Sequence, residues 1–203
     1  MKDPYNVIIT GVGGQGNVLA ARMLGNIMSA KGYNVTIGET FGASQRGGSV
    51  MSHLRISEKT VFSPQIPKGQ ADLVVALEPA ESIRVMAGYG NMNVKVLANT
   101  RAIHPVGVIC GELNYPSIDD IKKALSGLCG EMHFLPATDE AVKLGHPILG
   151  NVMMIGAVAG LGVLPFGEDD FEKVVRGNVP DSKIDVNMKA FRTGMVMVKS
   201  AGV

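Results

Sequence analysis

Between a short β-branched run and a helical pattern the chain reads Gly11-Val12-Gly13-Gly14-Gln15-Gly16. Asn6 to Thr10 (NVIIT) supplies the strand, and Leu19, Met23 and Ile27 fall on one helical stripe after the glycines. Glycines at this junction let the backbone turn tightly, let an anion approach, and leave the N–H groups of the helix start free to meet it. The alternative is close strand–helix packing with no ligand, and spacing alone does not choose between them.

The residues beyond this helix extend the pattern into an α/β chain. Gly32 stops the helix, and Tyr33 to Glu39 (YNVTIGE) reads as a second strand. That completes a βαβ unit, with parallel pairing of its strands and a right-handed crossover expected. Ser49 to Ile56 reads as a half-buried strand, and Asp72 to Leu77 as a buried strand that leads into a helix over residues 79–87. Asn93 to Ala98 is a further strand. The pattern then weakens, with a Ser-capped helix over 117–128, a strand over 131–135 and a short helix over 137–144. A buried helix is expected near 151–163. Ile184, Met188, Phe191, Met195 and Val198 form one continuous face of a last helix over 182–200, which reads as core more than as an interface. The expected fold is therefore α/β and three-layered: a mostly parallel sheet of Rossmann-like type with helices on both faces, in one domain spanning residues 1–203. The 203-residue length fits one domain, at the usual ~150 residues each.

Charge and cysteine content exclude several functions. With 19 basic and 18 acidic residues the net charge is +1, and no Lys/Arg run is present, so neither a nucleic-acid footprint nor a membrane patch is indicated. Charged residues are 18% of the chain, below the ~25% of an average soluble domain, which points to a surface partly covered by a partner. Cys110 and Cys129 lie too far apart for a zinc or cluster clamp, and one chain with two thiols cannot ligate an iron–sulfur cluster. Two isolated cysteines fit a reducing cytoplasm, as buried core thiols. The charged N-terminus lacks the apolar core of a signal peptide, so a cytoplasmic location is expected. His53, His104, His133 and His146 show no metal-binding spacing, and no nucleophile elbow or phosphate-gripping lysine loop occurs. His53 reads as surface-facing or satisfied within its strand, and His146-Pro147 as a turn.

A second glycine loop carries more information. Gln45-Arg46-Gly47-Gly48-Ser49 comes after the second strand, so in a parallel sheet it shares the carboxyl edge with the first loop and the two face one crevice. Arg46 is the only formal charge between Glu39 and Arg55. A guanidinium fork beside two adjacent glycines suits a phosphate or carboxylate, since converging N–H groups meet no Cβ. Glu39, at the end of the second strand, stands where a dinucleotide enzyme places its ribose-binding acid, which keeps an NAD(P)-dependent reductase as an alternative. A non-catalytic nucleotide-binding assembly module is a third reading.

These motifs together resemble a known family. Gly11-Val12-Gly13-Gly14-Gln15-Gly16, Gly42 through Arg46 to Val50, Ser63-Pro64, Ala71-Asp72, Leu77-Glu78-Pro79-Ala80-Glu81-Ser82-Ile83-Arg84, Asn99, Gly150-Asn151 and Asn187 to Gly194 are similar to the gamma-type domain of 2-oxoacid:ferredoxin oxidoreductases. The E-P-x-E-x-x-R stretch and a length near 200 look most like the indolepyruvate branch, in its beta subunits. The resemblance implies a non-redox subunit, inactive alone, of a complex that decarboxylates an arylpyruvate oxidatively, forms acyl-CoA and reduces ferredoxin. Thiamine diphosphate and iron–sulfur clusters would then sit in a larger partner subunit, and this chain alone would bind neither. Gly11, Gly13, Gly14, Gln15, Gly16, Gln45, Arg46, Gly47, Gly48 and Ser49 would form its binding site, for a coenzyme A phosphate or a substrate carboxylate. Asn17 departs from the small or apolar residue the family leads one to expect. Stoichiometry, and self-association of the isolated chain, are left open.

Overall fold

The structure is a computed structural model and describes residues 1–42 and 48–200. Its elements run β1 (Tyr5–Val12), α1 (Asn17–Ala30), β2 (Asn34–Phe41), β3 (Ser49–Ser57), β4 (Leu73–Ala76), α2 (Pro79–Tyr89), β5 (Lys95–Asn99), α3 (Val106–Ile109), α4 (Ile118–Leu125), β6 (Glu131–Leu135), α5 (Ala137–Lys143), α6 (Leu149–Leu161), α7 (Glu168–Arg176) and α8 (Asp181–Ser200). The six strands form one sheet in the order β2-β3-β1-β4-β5-β6. The β1–β4, β4–β5 and β5–β6 pairs are parallel, while β3 lies antiparallel between β1 and β2. Five strands thus point one way, and the sheet is mostly parallel as expected.

One pairing differs from the sequence reading. β2 runs parallel to β1 but does not touch it, because β3 returns through the short glycine-rich loop and fills the gap between them. Strands β2 and β3 are a hairpin, and hairpin pairing after a short loop competes with the crossover pairing of a βαβ unit. β3 is also more buried than a half-buried strand, being enclosed from Val50 to Ser57. The segment after it folds back over one face: Ser63 O accepts from Arg55 Nη1 at 3.2 Å, and the Arg55 guanidinium lies 4.7 Å from the Phe62 ring centre.

Alternation along the strands divides the core in two. Val7, Ile9, Leu54, Leu73, Val75, Leu97 and Leu135 face α1, α6, α7 and α8; Ile8, Met51, Val74, Ala76, Val96 and Ala98 face α2 and α4. The result is three layers. α6 is apolar on every side, buried from Leu149 to Ala159, and α8 packs along it with Ile184, Met188, Phe191 and Val198 inward, as the period indicated. Their backbones nearly touch: a Cβ on Gly156 would stand 2.1 Å from Phe191 O, and one on Gly194 would stand 1.8 Å from Met153 O.

Other local expectations are corrected. Leu19 is half exposed, and α1 instead buries the smaller Ala20 and Ala21 with Leu24, Ile27 and Met28 against the sheet. α7 is an element that the apolar period does not reveal, although Glu168, Asp169 and Asp170 in its first turn and Lys173 and Arg176 in its last complement the helix dipole. Both cysteines are free thiols; Cys129 is half-buried and packs against the core, whereas Cys110 is exposed rather than a core residue. No helix among the described residues is long and apolar enough to cross a membrane.

Candidate functional site

The glycine turn after β1 is built for close approach. A Cβ on Gly11 would lie 2.5 Å from both Asn17 Oδ1 and Gln15 Oε1, and Gly14 and Gly16 hold φ of 99° and 84°, where only glycine sits without strain. Gln15 locks the turn. Its Oε1 accepts from Val12 N–H at 2.8 Å, and its Nε2 donates to Leu77 O at 2.9 Å, joining the end of β1 to the end of β4. Gln15 thus shapes the loop with its side chain. Asn17 donates from Nδ2 to Val12 O at 3.0 Å, while its buried Oδ1 lacks a partner.

The second glycine loop arrives at the same place. Gly13 N–H donates to Gly48 O at 2.7 Å, and Gly42 N–H donates to Ser49 O at 2.8 Å. Ser49 pairs with Val12 across the sheet and donates from Oγ to Glu81 Oε2 at 2.5 Å. Gln45, Arg46 and Gly47 lie outside the described residues. Gly48 and Ser49 stand beside the first loop, on the carboxyl edge.

Between β1 and β4 the chain reverses its direction of winding, since α1 leads outward to β2 and α2 leads the other way to β5. Ligands of open α/β sheets bind in the crevice at such a point. A cleft of about 280 Å³ opens there, walled by Gly14 and Gln15, by Leu77, Asn99 and Arg101, and by Thr138, His146 and Asn151. Asn99, 3% exposed, donates from Nδ2 to Leu77 O at 3.0 Å and Thr138 Oγ1 at 2.8 Å, and accepts from Thr138 N–H at 3.2 Å. Asn151 donates to Gln15 O at 2.8 Å, tying the start of α6 to the glycine turn. Arg101 sits at the rim, 3.1 Å from Asp139, and His146 accepts from Ile148 N–H at Nδ1, 3.2 Å away.

The electrostatics of the cleft favour an anion. α1 and α6 begin at its wall, and neither carries an acidic residue in its first turn; nor does the four-residue α3, while α2, α4, α5, α7 and α8 all do. The start of α1 is uncapped and contributes roughly half a positive charge, whereas the first N–H groups of α6 are taken by His146 O, Pro147 O and Ile148 O. No acidic side chain lines the cleft among the described residues. Its size suits one end of a larger molecule, since whole-ligand pockets are about 300–1,000 Å³.

Sequence reasoning locates the two loops but misses Arg101, Thr138 and His146, which are distant in the chain and belong to no local pattern. His146 does mark the turn before α6. His53 proves buried at 1% exposure, not surface-facing: Nδ1 accepts from Ile66 N–H at 3.4 Å, and Nε2 has no partner. Burial pushes its pKa down. Glu39 is exposed on β2, one strand removed from β1, so β3 separates it from the glycine turn. No group of three or more His, Cys, Asp or Glu side chains among the described residues could hold a metal ion.

Comparison with known proteins gives a consistent result. Residues 6–197 match the pyruvate ferredoxin/flavodoxin oxidoreductase family. The chain is 38% identical over 196 residues to indolepyruvate oxidoreductase subunit IorB of Thermococcus kodakarensis, covering 96% of each chain. It is 37% identical over 189 residues to the subunit of the same name in Archaeoglobus fulgidus, covering 93% of this chain and 92% of that one. Among solved structures, pyruvate oxidoreductase subunit PORC of Thermotoga maritima superposes with a TM-score of 0.72 at 22% identity, covering 97% of both chains, a likeness of fold.

Proposed function

This chain belongs to the pyruvate ferredoxin/flavodoxin oxidoreductase family, and from that membership we propose that it is the non-redox subunit of a 2-oxoacid:ferredoxin oxidoreductase acting on indolepyruvate or another arylpyruvate. Its relatives in Thermococcus and Archaeoglobus carry the name of an indolepyruvate oxidoreductase subunit. Two cysteines are too few for an iron–sulfur cluster, so the clusters belong to a larger companion chain, where the family resemblance also puts the thiamine diphosphate. The low charge content leaves surface for that companion. Ferredoxin is the acceptor of the complex.

Within that complex the chain contributes position and electrostatics. Gly11, Gly13, Gly14, Gln15 and Gly16, with Gly48 and Ser49 beside them, form an anion-binding rim facing the partner's active centre, to which Gln45, Arg46 and Gly47, outside the described residues, are expected to add donors. A coenzyme A phosphate is the favoured anion, and the substrate carboxylate would meet the same donors. Gly13 N–H is taken by Gly48, so the groups left for the anion are the N–H groups at the start of α1, Arg46, and the neighbouring Arg101.

The observation that carries the reading is the junction of the two glycine loops beside a cleft free of acidic side chains among the described residues, with the uncapped start of α1 at its wall. The subunit assignment is tested by purifying the chain alone and with its thiamine-binding companion. Indolepyruvate-dependent ferredoxin reduction is expected only in the mixture. Turnover by the isolated chain with a nicotinamide cofactor would contradict it.

A further inference from the structure

The E-P-x-E stretch at the start of α2 is unexplained by anion binding, yet its first carboxylate is among the most enclosed charges in the chain. Glu78 is 2% exposed. Its Oε2 accepts from Glu81 N–H at 3.0 Å as the cap of α2. Its Oε1 accepts from Ile103 N–H at 3.3 Å and also from the Tyr115 hydroxyl. The Tyr115 oxygen in turn accepts from Ala80 N–H at 3.3 Å. Burial, reinforced by the Glu78 carboxylate, holds the Tyr115 phenol well above its ordinary pKa, so it remains a donor.

The two ends of one loop therefore meet on one oxygen atom. Between Ile103 and Tyr115 the chain has little else to hold it. α3 buries none of its residues, and Val106, Ile109 and Leu113 are 74%, 72% and 62% exposed. Cross-links within the loop, such as Glu112 N–H and Leu113 N–H donating to Gly107 O, fix its tip but not its place on the protein. The limb that enters this loop carries Arg101 and Ile103, both in the wall of the cleft. Apart from the Tyr115 ring, which packs against the core on the α2–α4 face, the loop lacks core contacts and takes its position from such anchors.

We propose that Glu78 and Tyr115 are positioning residues: by clasping both ends of the 103–115 loop on one buried carboxylate, they hold the Arg101–Ile103 wall against the glycine turn so that the cleft is preformed for its anion. The role rests on the cleft being an anion site. The second carboxylate of the stretch acts in parallel, since Glu81 accepts from Ser49 Oγ and from Arg84 Nη2 at 2.6 Å, just where β3 leaves the second glycine loop. One turn of helix thereby braces the cleft wall on one side and the second glycine loop on the other.

Tyr115→Phe tests the clasp, because it removes one hydroxyl and keeps the ring. Amide exchange of the full-length chain is expected to quicken at least tenfold at Ile103 and across the loop, with the strands unchanged. In the reconstituted complex the KM for coenzyme A or for the 2-oxoacid is expected to rise threefold or more, with kcat within twofold. Glu78→Gln, which keeps an acceptor oxygen for both loop donors, is expected to retain more loop protection than Glu78→Leu. Unchanged exchange in Tyr115→Phe overturns the clasp. Faster exchange with both KM values unchanged, while Arg101→Ala raises one of them, overturns the positioning role. If Arg101→Ala also leaves both unchanged, the cleft is not the anion site and the positioning role falls with it, the exchange result standing only as a loop anchor.

Discussion

Gly13 N–H points at the carbonyl oxygen of Gly48 and bonds it at 2.7 Å, so two loops separated by a helix and a strand meet at their backbones. The contact needs β3 to lie directly beside β1, with Ser49 opposite Val12. The β1–β3 pairing is what sets Gly48 against Gly13.

The glycines should differ in cost according to what surrounds them. Gly14→Ala meets open space and suffers only its left-handed φ, about 1–2 kcal/mol. Gly16→Ala adds a Cβ 2.4 Å from Asn151 Nδ2 and disturbs the bond to Gln15 O, costing a further ~1 kcal/mol or more. Gly194→Ala wedges α8 from α6 and should be worst, about 3 kcal/mol or beyond. Urea midpoints of the three variants check the ranking; Gly194→Ala as mild as Gly14→Ala would contradict the helix contact.

Gln15→Leu keeps the bulk but leaves Val12 N–H and Leu77 O without their partner. Unsatisfied groups of this kind cost about 1–3 kcal/mol each, though Leu77 O retains its bond from Asn99. The variant should lose about 2 kcal/mol in urea unfolding, and the N–H groups of the turn should show faster exchange than those of β5.

Stability in acid should fall in two steps. The folded pKa of His53 lies below its ordinary 6.5, because burial disfavours the cation. The unfolded chain therefore binds the extra proton first, and stability is complete above 6.5 and declines as the pH drops below it. Lys95 and His133 hold the Glu131 carboxyl below its ordinary 4.5, so its contribution is present above 4.5 and is lost as the pH falls through the folded value. His53→Leu should flatten the first step only, and Glu131→Gln the second only, in urea midpoints measured against pH. A first step unaltered by His53→Leu would assign it to another group.

Much of this fold is legible in the sequence for a physical reason. Strand, glycine turn and helix are local, and so are the uncharged run of α6 and the apolar period of α8, which is why the three layers and both loops can be placed from residue order. The position of β3 cannot, because Tyr33 to Glu39 and Ser49 to Ile56 look alike whether they pair with β1 or with each other. Leu19, Met23 and Ile27 match a helical period, yet the close approach at Ala20 and Ala21 turns the helix to another face. Arg101, Thr138 and His146 share the cleft only because three segments end at one sheet edge, a relation no spacing records. His53 reads as surface-facing or satisfied from its strand neighbours, and the covering segment around Ile66 is what buries it.

The central claim is that the paired glycine loops grip an anion for the companion chain's chemistry. Steady-state kinetics of Arg46→Ala in the reconstituted complex, with assembly checked by gel filtration, test it most directly. Loss of one charge-assisted contact, about 1.5–3 kcal/mol, predicts a KM for coenzyme A or the 2-oxoacid raised roughly tenfold or more. Wild-type KM values for both, in an intact complex, would contradict it.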